Sequence, residues 1–309
     1  MIRRILRASN WWIGLRRAQR EGLIRSFSRW RAWKRILDSP PLRTPPPSPS
    51  APVELHMMCY YFDYLTALWT LKSFYRAAQS ALPLTIHVEG RPEPRMMARL
   101  RAHLPDARIV TAAEASHLVQ PVLEKRGLRR LAADRLASPY MLKVVDCVLM
   151  TAAWNLLILD ADVFFFARPD HLLPSKPAPV ERDLFQRDLS TNYSLTPEQA
   201  RADLGIDLAP QVNAGIMLLS REHADPARFD RYLHHPRLQG AAGWIDQTLF
   251  ALSSSEQRRV GFLPPSYLIS LQRGHYPDEL IARHYAGPSR PMLTSEGIPR
   301  LIETGILEP

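Results

Sequence analysis

Residues 154–170 read W-N-L-L-I-L-D-A-D-V-F-F-F-A-R-P-D, and the fold turns on how this stretch changes character at its middle. Leu156 to Leu159 is an uninterrupted apolar run, the pattern of a strand buried on both faces of a sheet. It ends in two carboxylates, Asp160 and Asp162, separated only by Ala161. Side chains alternate along an extended chain, so both carboxylates leave on one side, where the strand stops. Two anions beside an apolar strand are unfavourable unless something cationic neutralises them. A hard divalent metal suits the task, because it prefers oxygen ligands and bridges carboxylates to a phosphate. Ligands of open α/β sheets also bind beyond the carboxyl ends of the strands, where this pair falls. A turn or helix cap built from two aspartates would read the same way, so the pair by itself leaves both readings open.

Outward from this strand, apolar runs alternate with helical periodicity. Val53–Cys59, Leu84–Val88 and Arg108–Thr111 read as strands, separated by helices over 62–78 (Leu65, Leu68, Trp69 and Leu71 inward) and 95–103. A helix over 139–151, carrying Lys143, leads into the strand at 156. Such alternation implies parallel crossovers and a doubly wound sheet. Downstream, 174–194 is proline-rich and polar, and reads as a loop over the site. Thr196-Pro197-Glu198 opens a helix with a capping residue and proline at its first position. A strand over 212–219 contains Asn213-Ala214-Gly215, small enough to let backbone or a ligand come close. Helices over 229–234 and 244–252 follow, the second containing Asp246-Gln247, and a final strand over 281–285 runs into Gly287 and Arg290.

The composition is that of a folded chain, 46% hydrophobic and 23% charged over 309 residues, enough for one large α/β domain with a decorated edge. The net charge of +10 suggests nucleic acid, but its distribution argues otherwise. Residues 1–37 hold eleven Lys/Arg against Glu21 alone, leaving 29 basic and 29 acidic residues elsewhere. The globular part is balanced, and no nucleic-acid-binding signature is present. In the arm, residues 1–38, Leu23, Phe27, Trp30 and Leu37 recur near helical spacing beside Ile24 and Trp33, opposite arginines; Trp11 and Trp12 add a second anchor. That pattern fits a helix lying on an anionic membrane surface, placing the chain in the cytoplasm and peripheral to the membrane's inner face. A helix packed on the domain and an arginine-rich organellar targeting peptide share it. Half of residues 39–52 are proline, the composition of an extended linker before a domain at 53–309. Cys59 and Cys147, the only cysteines, give neither a zinc spacing nor a disulfide framework and read as small core residues in a reducing compartment.

The ordered set says more than any member. Lys143, Asp160-Ala161-Asp162, Asn213-Ala214-Gly215, Asp246-Gln247 and His284-Tyr285-Ala286-Gly287-Pro288-Ser289-Arg290-Pro291 together resemble glycosyltransferase family 8. That group includes glycogenin and the bacterial lipooligosaccharide galactosyltransferases. Its carboxyl-terminal signature, H-x-x-G-x-x-K-P-W, is met here with Arg290 for lysine and Met292 for tryptophan. The resemblance implies a GT-A fold, Rossmann-like with a mostly parallel central sheet flanked by helices, and retaining transfer of a hexose from a nucleotide-diphosphate sugar such as UDP-hexose to a saccharide or lipid-linked acceptor. It implies Asp160, Asp162 and His284 as ligands of Mn²⁺ or Mg²⁺, the imidazole favouring Mn²⁺. Lys143, Asp160, Gly287 and Arg290 would then contact the donor, and Asn213-Ala214-Gly215 would line the sugar pocket. Asp246 would hold sugar hydroxyls, with Gln247 beside the anomeric carbon. The arginine keeps the charge and adds a bidentate fork. Two other classes compete: a non-catalytic nucleotide-sugar-binding or membrane-associated scaffold, and a D-x-D phosphatase. The phosphatase usually wants Thr or Val two residues after the second aspartate, where Phe164 stands.

Overall fold

A computed structural model of the chain describes residues 23–239 and 243–305. Trp11 and Trp12, and the side chains of Leu23, Ile24 and Phe27, fall outside what is described. Helix α1 (Leu23–Asp38) precedes a Rossmann-like succession: β1 (Val53–Cys59), α2 (Tyr64–Ala78), β2 (Leu84–Val88), α3 (Pro94–His103) and β3 (Arg108–Thr111). Then come α4 (Ala112–Lys125), α5 (Arg129–Ala137), α6 (Tyr140–Met150), β4 (Asn155–Leu159) and β5 (Val163–Phe165). The second half runs β6 (Asp183–Arg187), α7 (Pro197–Leu204), β7 (Val212–Ser220), α8 (Pro226–Leu233), α9 (Ile245–Glu256), β8 (Val260–Phe262), β9 (Tyr267–Ile269) and β10 (Ala282–His284), ending in helical turns.

Seven strands form the main sheet in the order β3-β2-β1-β4-β7-β6-β8. Pairing is parallel except where β7 lies antiparallel to β4 and to β6. The sheet buries apolar side chains on both faces, with the period of two that strands impose. Leu55, Met57, Leu157 and Leu159 face a layer with Leu68, Trp69 and Phe74, whereas Leu156, Ile158, Met217 and Leu219 face one with Val144, Phe229 and Phe250. Deleting a fully buried ring such as Trp69 costs about 3–5 kcal/mol. Local signals set the helix ends: Thr111 and Glu114 form a capping box on α4, Thr196 and Gln199 another on α7, and Glu93 caps α3 ahead of Pro94.

Three departures from the sequence reading matter. The segment 174–194 is not loop throughout; it contains β6, an interior strand of the main sheet. The helix expected from 62 begins at Tyr64, because Asp63 accepts the Tyr60 N–H (2.8 Å) and holds the preceding residues in a turn. Trp33 and Leu37, assigned to a lipid-facing stripe, are instead half-buried against the domain, where Ala32 and Ile36 are buried outright. The chain leaving α1 is also tied down: Lys72 Nζ donates to Ser39 Oγ (2.5 Å) and the Pro40 carbonyl (2.8 Å), and Leu42 N–H to the His103 carbonyl (2.8 Å). No helix among the described residues is long and apolar enough to cross a membrane.

Candidate functional site

The D-x-D stands where the chain leaves one sheet for another. β4 belongs to the main sheet, while β5 joins a three-stranded sheet in the order β5-β10-β9. The turn between them is held by Asp160 N–H donating to the Gly215 carbonyl (2.9 Å) and Thr70 Oγ1 donating to the Ala161 carbonyl (2.8 Å). β10 runs antiparallel to β5 with His284 opposite Val163, and Tyr285 N–H donates to the Asp162 carbonyl (2.9 Å). Register therefore brings His284, more than a hundred residues away in sequence, against the second aspartate.

Asp162 is buried, its Oδ1 3.2 Å from His284 Nε2 and its Oδ2 2.9 Å from Arg290 Nε. Burial opposes its ionisation, but hydrogen bonding and charge from His284, then the Arg290 guanidinium, hold the carboxyl below its ordinary range. His284 responds in the opposite sense. Burial favours the neutral ring, yet the Asp162 carboxylate and then Asp160 raise it above the usual imidazole value. On the far side of the ring, Gln186 donates Nε2–H to the Tyr267 carbonyl (3.2 Å), leaving its Oε1 to accept from His284 Nδ1 (3.0 Å). That network assigns the proton to Nδ1 and aims Nε2 at the aspartates, as an outer partner does for a metal-ligating histidine. Gly215 makes the arrangement possible: a Cβ there would lie 2.1 Å from His284 Cε1 and 2.4 Å from Nδ1.

Asp160, Asp162 and His284 each offer a ligand atom, and these atoms lie within 4.8 Å of one another. Two carboxylates and an oriented imidazole fit a divalent ion that accepts mixed oxygen and nitrogen ligands. Lys143, which taken alone reads as solvated, is buried, and its ammonium meets Asp160 Oδ1 (2.7 Å), Asp246 Oδ2 (3.1 Å) and the Ala214 carbonyl (3.3 Å). Burial alone would lower the amine's pKa; the two carboxylates outweigh it and keep Lys143 charged. Gln247 is held at both ends, its Oε1 accepting from Ala214 N–H (3.1 Å) and its Nε2 donating to the Asn192 carbonyl (2.8 Å). Asn213 Oδ1 accepts from Gly215 N–H (2.8 Å), and its Nδ2 donates to Asp188 (3.1 Å). Gly287 takes φ +51°, a backbone conformation side chains disfavour, at the start of the turn that carries Arg290. Met292, in place of the tryptophan, is buried with its sulfur 3.5 Å from Arg283.

Every residue singled out from the sequence is thus tied into one neighbourhood, except that Gly287 and Arg290 reach it through the turn after β10. Two participants were not foreseen. Gln186 lies on the unread strand β6, just past a bulge between Phe185 and Gln186. Asp63, at the end of β1, feels Arg290 and Asp162; burial, then Asp162 and Glu89, push its carboxyl to about 6 against the pull of the Tyr60 N–H and Arg290. An aspartate shortly beyond a strand's carboxyl end was the available signal for it.

The architecture can be set against known proteins. The galactosyltransferase LgtC, bound to donor and acceptor sugar analogues, matches at TM-score 0.51 and 16% identity over 81% of this chain and 94% of that one. This chain has the GT-A glycosyltransferase fold. Mouse xyloside xylosyltransferase 1 in its apo form is also similar, at 20% identity over 79% of this chain and 98% of that one with TM-score 0.47. No protein-family model matches the chain, and no curated protein matches its sequence.

Proposed function

We propose that this GT-A chain is a metal-dependent glycosyltransferase that moves a hexose from a nucleotide-diphosphate sugar, UDP-hexose, to a saccharide or lipid-linked acceptor with retention at the anomeric carbon. The observation that carries the reading is the convergence of Asp160, Asp162 and His284, with Arg290 beside them, where β4 ends. Mn²⁺ or Mg²⁺ held by these three would act as a Lewis acid on the diphosphate, offsetting the charge that grows as the sugar–phosphate bond breaks. Arg290, exposed, would add a guanidinium to that leaving group, and the Gly287 backbone N–H a further donor. Lys143 neutralises Asp160 and Asp246, so the carboxylates near the donor sugar stay in place without mutual repulsion. Asn213-Ala214-Gly215 and Asp246 would orient the sugar, and the Gln247 carbonyl, fixed by Ala214, would face the positive charge developing at the anomeric carbon. Tyr60 and Phe62, exposed beside Asp63, offer ring faces to a nucleobase.

In this reading residues 1–38 form a basic arm, 39–52 a linker and 53–309 the catalytic domain. The eleven basic residues of 1–37 support attachment to an anionic membrane from the cytoplasmic side. Liposome co-sedimentation should pellet the full chain and leave a chain lacking those residues in solution. The test of the activity is release of nucleoside diphosphate from nucleotide sugars with and without Mn²⁺. Release should require the ion and disappear in Asp162→Ala; metal-independent release, or a product of inverted configuration, would refute the mechanism.

A further inference from the structure

The face of the main sheet beneath α6 carries a polar cluster for which the donor site has no use. Alternation in β1 and β2 places Glu54 and His56 beside Thr85 and His87 on that face, while their neighbours Leu55, Met57, Leu84 and Ile86 fill the opposite core. His56 is fully buried, His87 nearly so, and Cys147 projects from α6 with no exposure at all. The two imidazoles stack with centroids 5.1 Å apart and share a hydrogen bond, His56 Nδ1 to His87 Nε2, of 2.8 Å. His87 Nδ1 has no hydrogen-bond partner, and His56 Nε2 faces only the Glu54 carboxylate, 3.2 Å away. An unpartnered buried polar atom costs about 1–3 kcal/mol, so the His87 ring calls for an explanation.

We propose that His56, His87 and Cys147 form a second metal site, buried in the core, that takes a thiophilic divalent cation of the zinc class and pins α6 to β1 and β2. Their ligand atoms lie within 4.8 Å of one another. A tetrahedral zinc site needs nitrogens about 3.3 Å apart and sulfur about 3.6 Å from nitrogen, so small side-chain adjustments close the set. Imidazole is common to both sites, but a thiolate stands here where the D-x-D site has carboxylates. Thiolate and imidazole select zinc-like ions, whereas carboxylates favour Mg²⁺ or Mn²⁺. Binding exchanges the Cys147 Sγ–H proton for the metal, releasing one proton and leaving a metal–thiolate unit of charge +1. The neighbouring countercharge is Glu54, fully buried, whose two oxygens accept from Thr85 Oγ1 (2.7 Å) and Ala152 N–H (2.8 Å) and whose Oε1 lies 3.2 Å from His56 Nε2. With Glu54 on Nε2, His56 would ligate through Nδ1, the nitrogen that faces His87, and a carboxylate behind a ligating histidine is the usual outer partner at such sites. Cys147 lies one helical turn beyond Lys143, so the metal would steady the helix that places that ammonium.

The test uses the full chain produced in zinc-supplemented medium and then stripped of exchangeable metal with a chelator. Metal analysis should find about one zinc per chain, and exchange with Cd²⁺ should produce ultraviolet thiolate-to-metal absorption. Both should vanish in Cys147→Ser and persist in Cys59→Ser, which removes the other buried cysteine, and in Asp162→Ala. A wild-type chain with no retained zinc and no such absorption overturns the site, as does absorption that survives Cys147→Ser or is lost in Cys59→Ser. If Cys147→Ser fails to fold, the wild-type and Cys59→Ser results still decide. Loss of turnover in Asp162→Ala with the cadmium signal intact separates this site from the transferase reading.

Discussion

Two clusters of three ligating side chains lie at different places around the main sheet and differ in donor set and exposure. Asp160, Asp162 and His284 gather where β4 ends, with Asp160 partly open to solvent and the exposed Arg290 alongside. His56, His87 and Cys147 lie buried inside the sheet–helix sandwich. The open cluster has two carboxylates and an imidazole, with an outer network (Gln186, Arg290, Lys143) that fixes its geometry. The closed cluster has soft donors and only Glu54 behind it. The difference in exposure would let an ion at the first cluster meet a substrate and keep one at the second within the core.

The comparison is sharpest at Gly215. Because an added Cβ would overlap the His284 ring at 2.1 Å, Gly215→Ala should displace the imidazole and lower Mn²⁺ affinity about 100-fold, leaving zinc retention in the buried cluster untouched. Calorimetric Mn²⁺ titration checks it; unchanged affinity would mean the ring is not a ligand. Gln186→Leu keeps the packing but releases Nδ1, and should weaken Mn²⁺ binding about 10-fold, read in the same titration. Arg290→Lys retains the charge while losing the contact with Asp162, so a few-fold loss of turnover, on the order of 3–10, is expected from initial rates.

Acidity provides a smaller handle. In the metal-free chain His284 is raised, so its contribution to stability is complete below its unfolded pKa of about 6.5 and fades as pH climbs through the higher folded value. Asp162 is lowered, so its contribution is complete above about 3.9 and fades as pH falls through the lower folded value. Urea unfolding should therefore show this pair's stabilisation in full between about pH 4 and 6.5, and His284→Ala should lower stability across that window and remove the decline above it. A profile identical to wild type would show that the pair does not form.

The open cluster was legible in the sequence and the closed one was not. A buried apolar run ending in two carboxylates is a local signal, and the order of the later motifs supplied His284, Asp246 and Gln247. Gly215 was read as a place of close approach, but the group that approaches is an imidazole. β6 escaped because Asp183–Arg187 sits among prolines and its bulge breaks the alternation that marks a strand. The same bulge points Gln186 at His284, so one irregularity hid both the strand and a site residue. β8 and β9, three residues each, are too short to show a period, and α4 could have been read from its Thr111–Glu114 capping box. His56 and His87 are thirty-one positions apart and meet only through the β1–β2 register, which no spacing rule reports.

The central claim is that three side chains from separate parts of the chain hold one cation against a diphosphate. Mn²⁺ binding to wild type and to His284→Ala, each with and without UDP, tests it most directly. The account predicts that UDP tightens Mn²⁺ binding to the wild-type chain and that His284→Ala loses both the basal affinity and the enhancement. Equal Mn²⁺ affinity in the two proteins, indifferent to UDP, would contradict it.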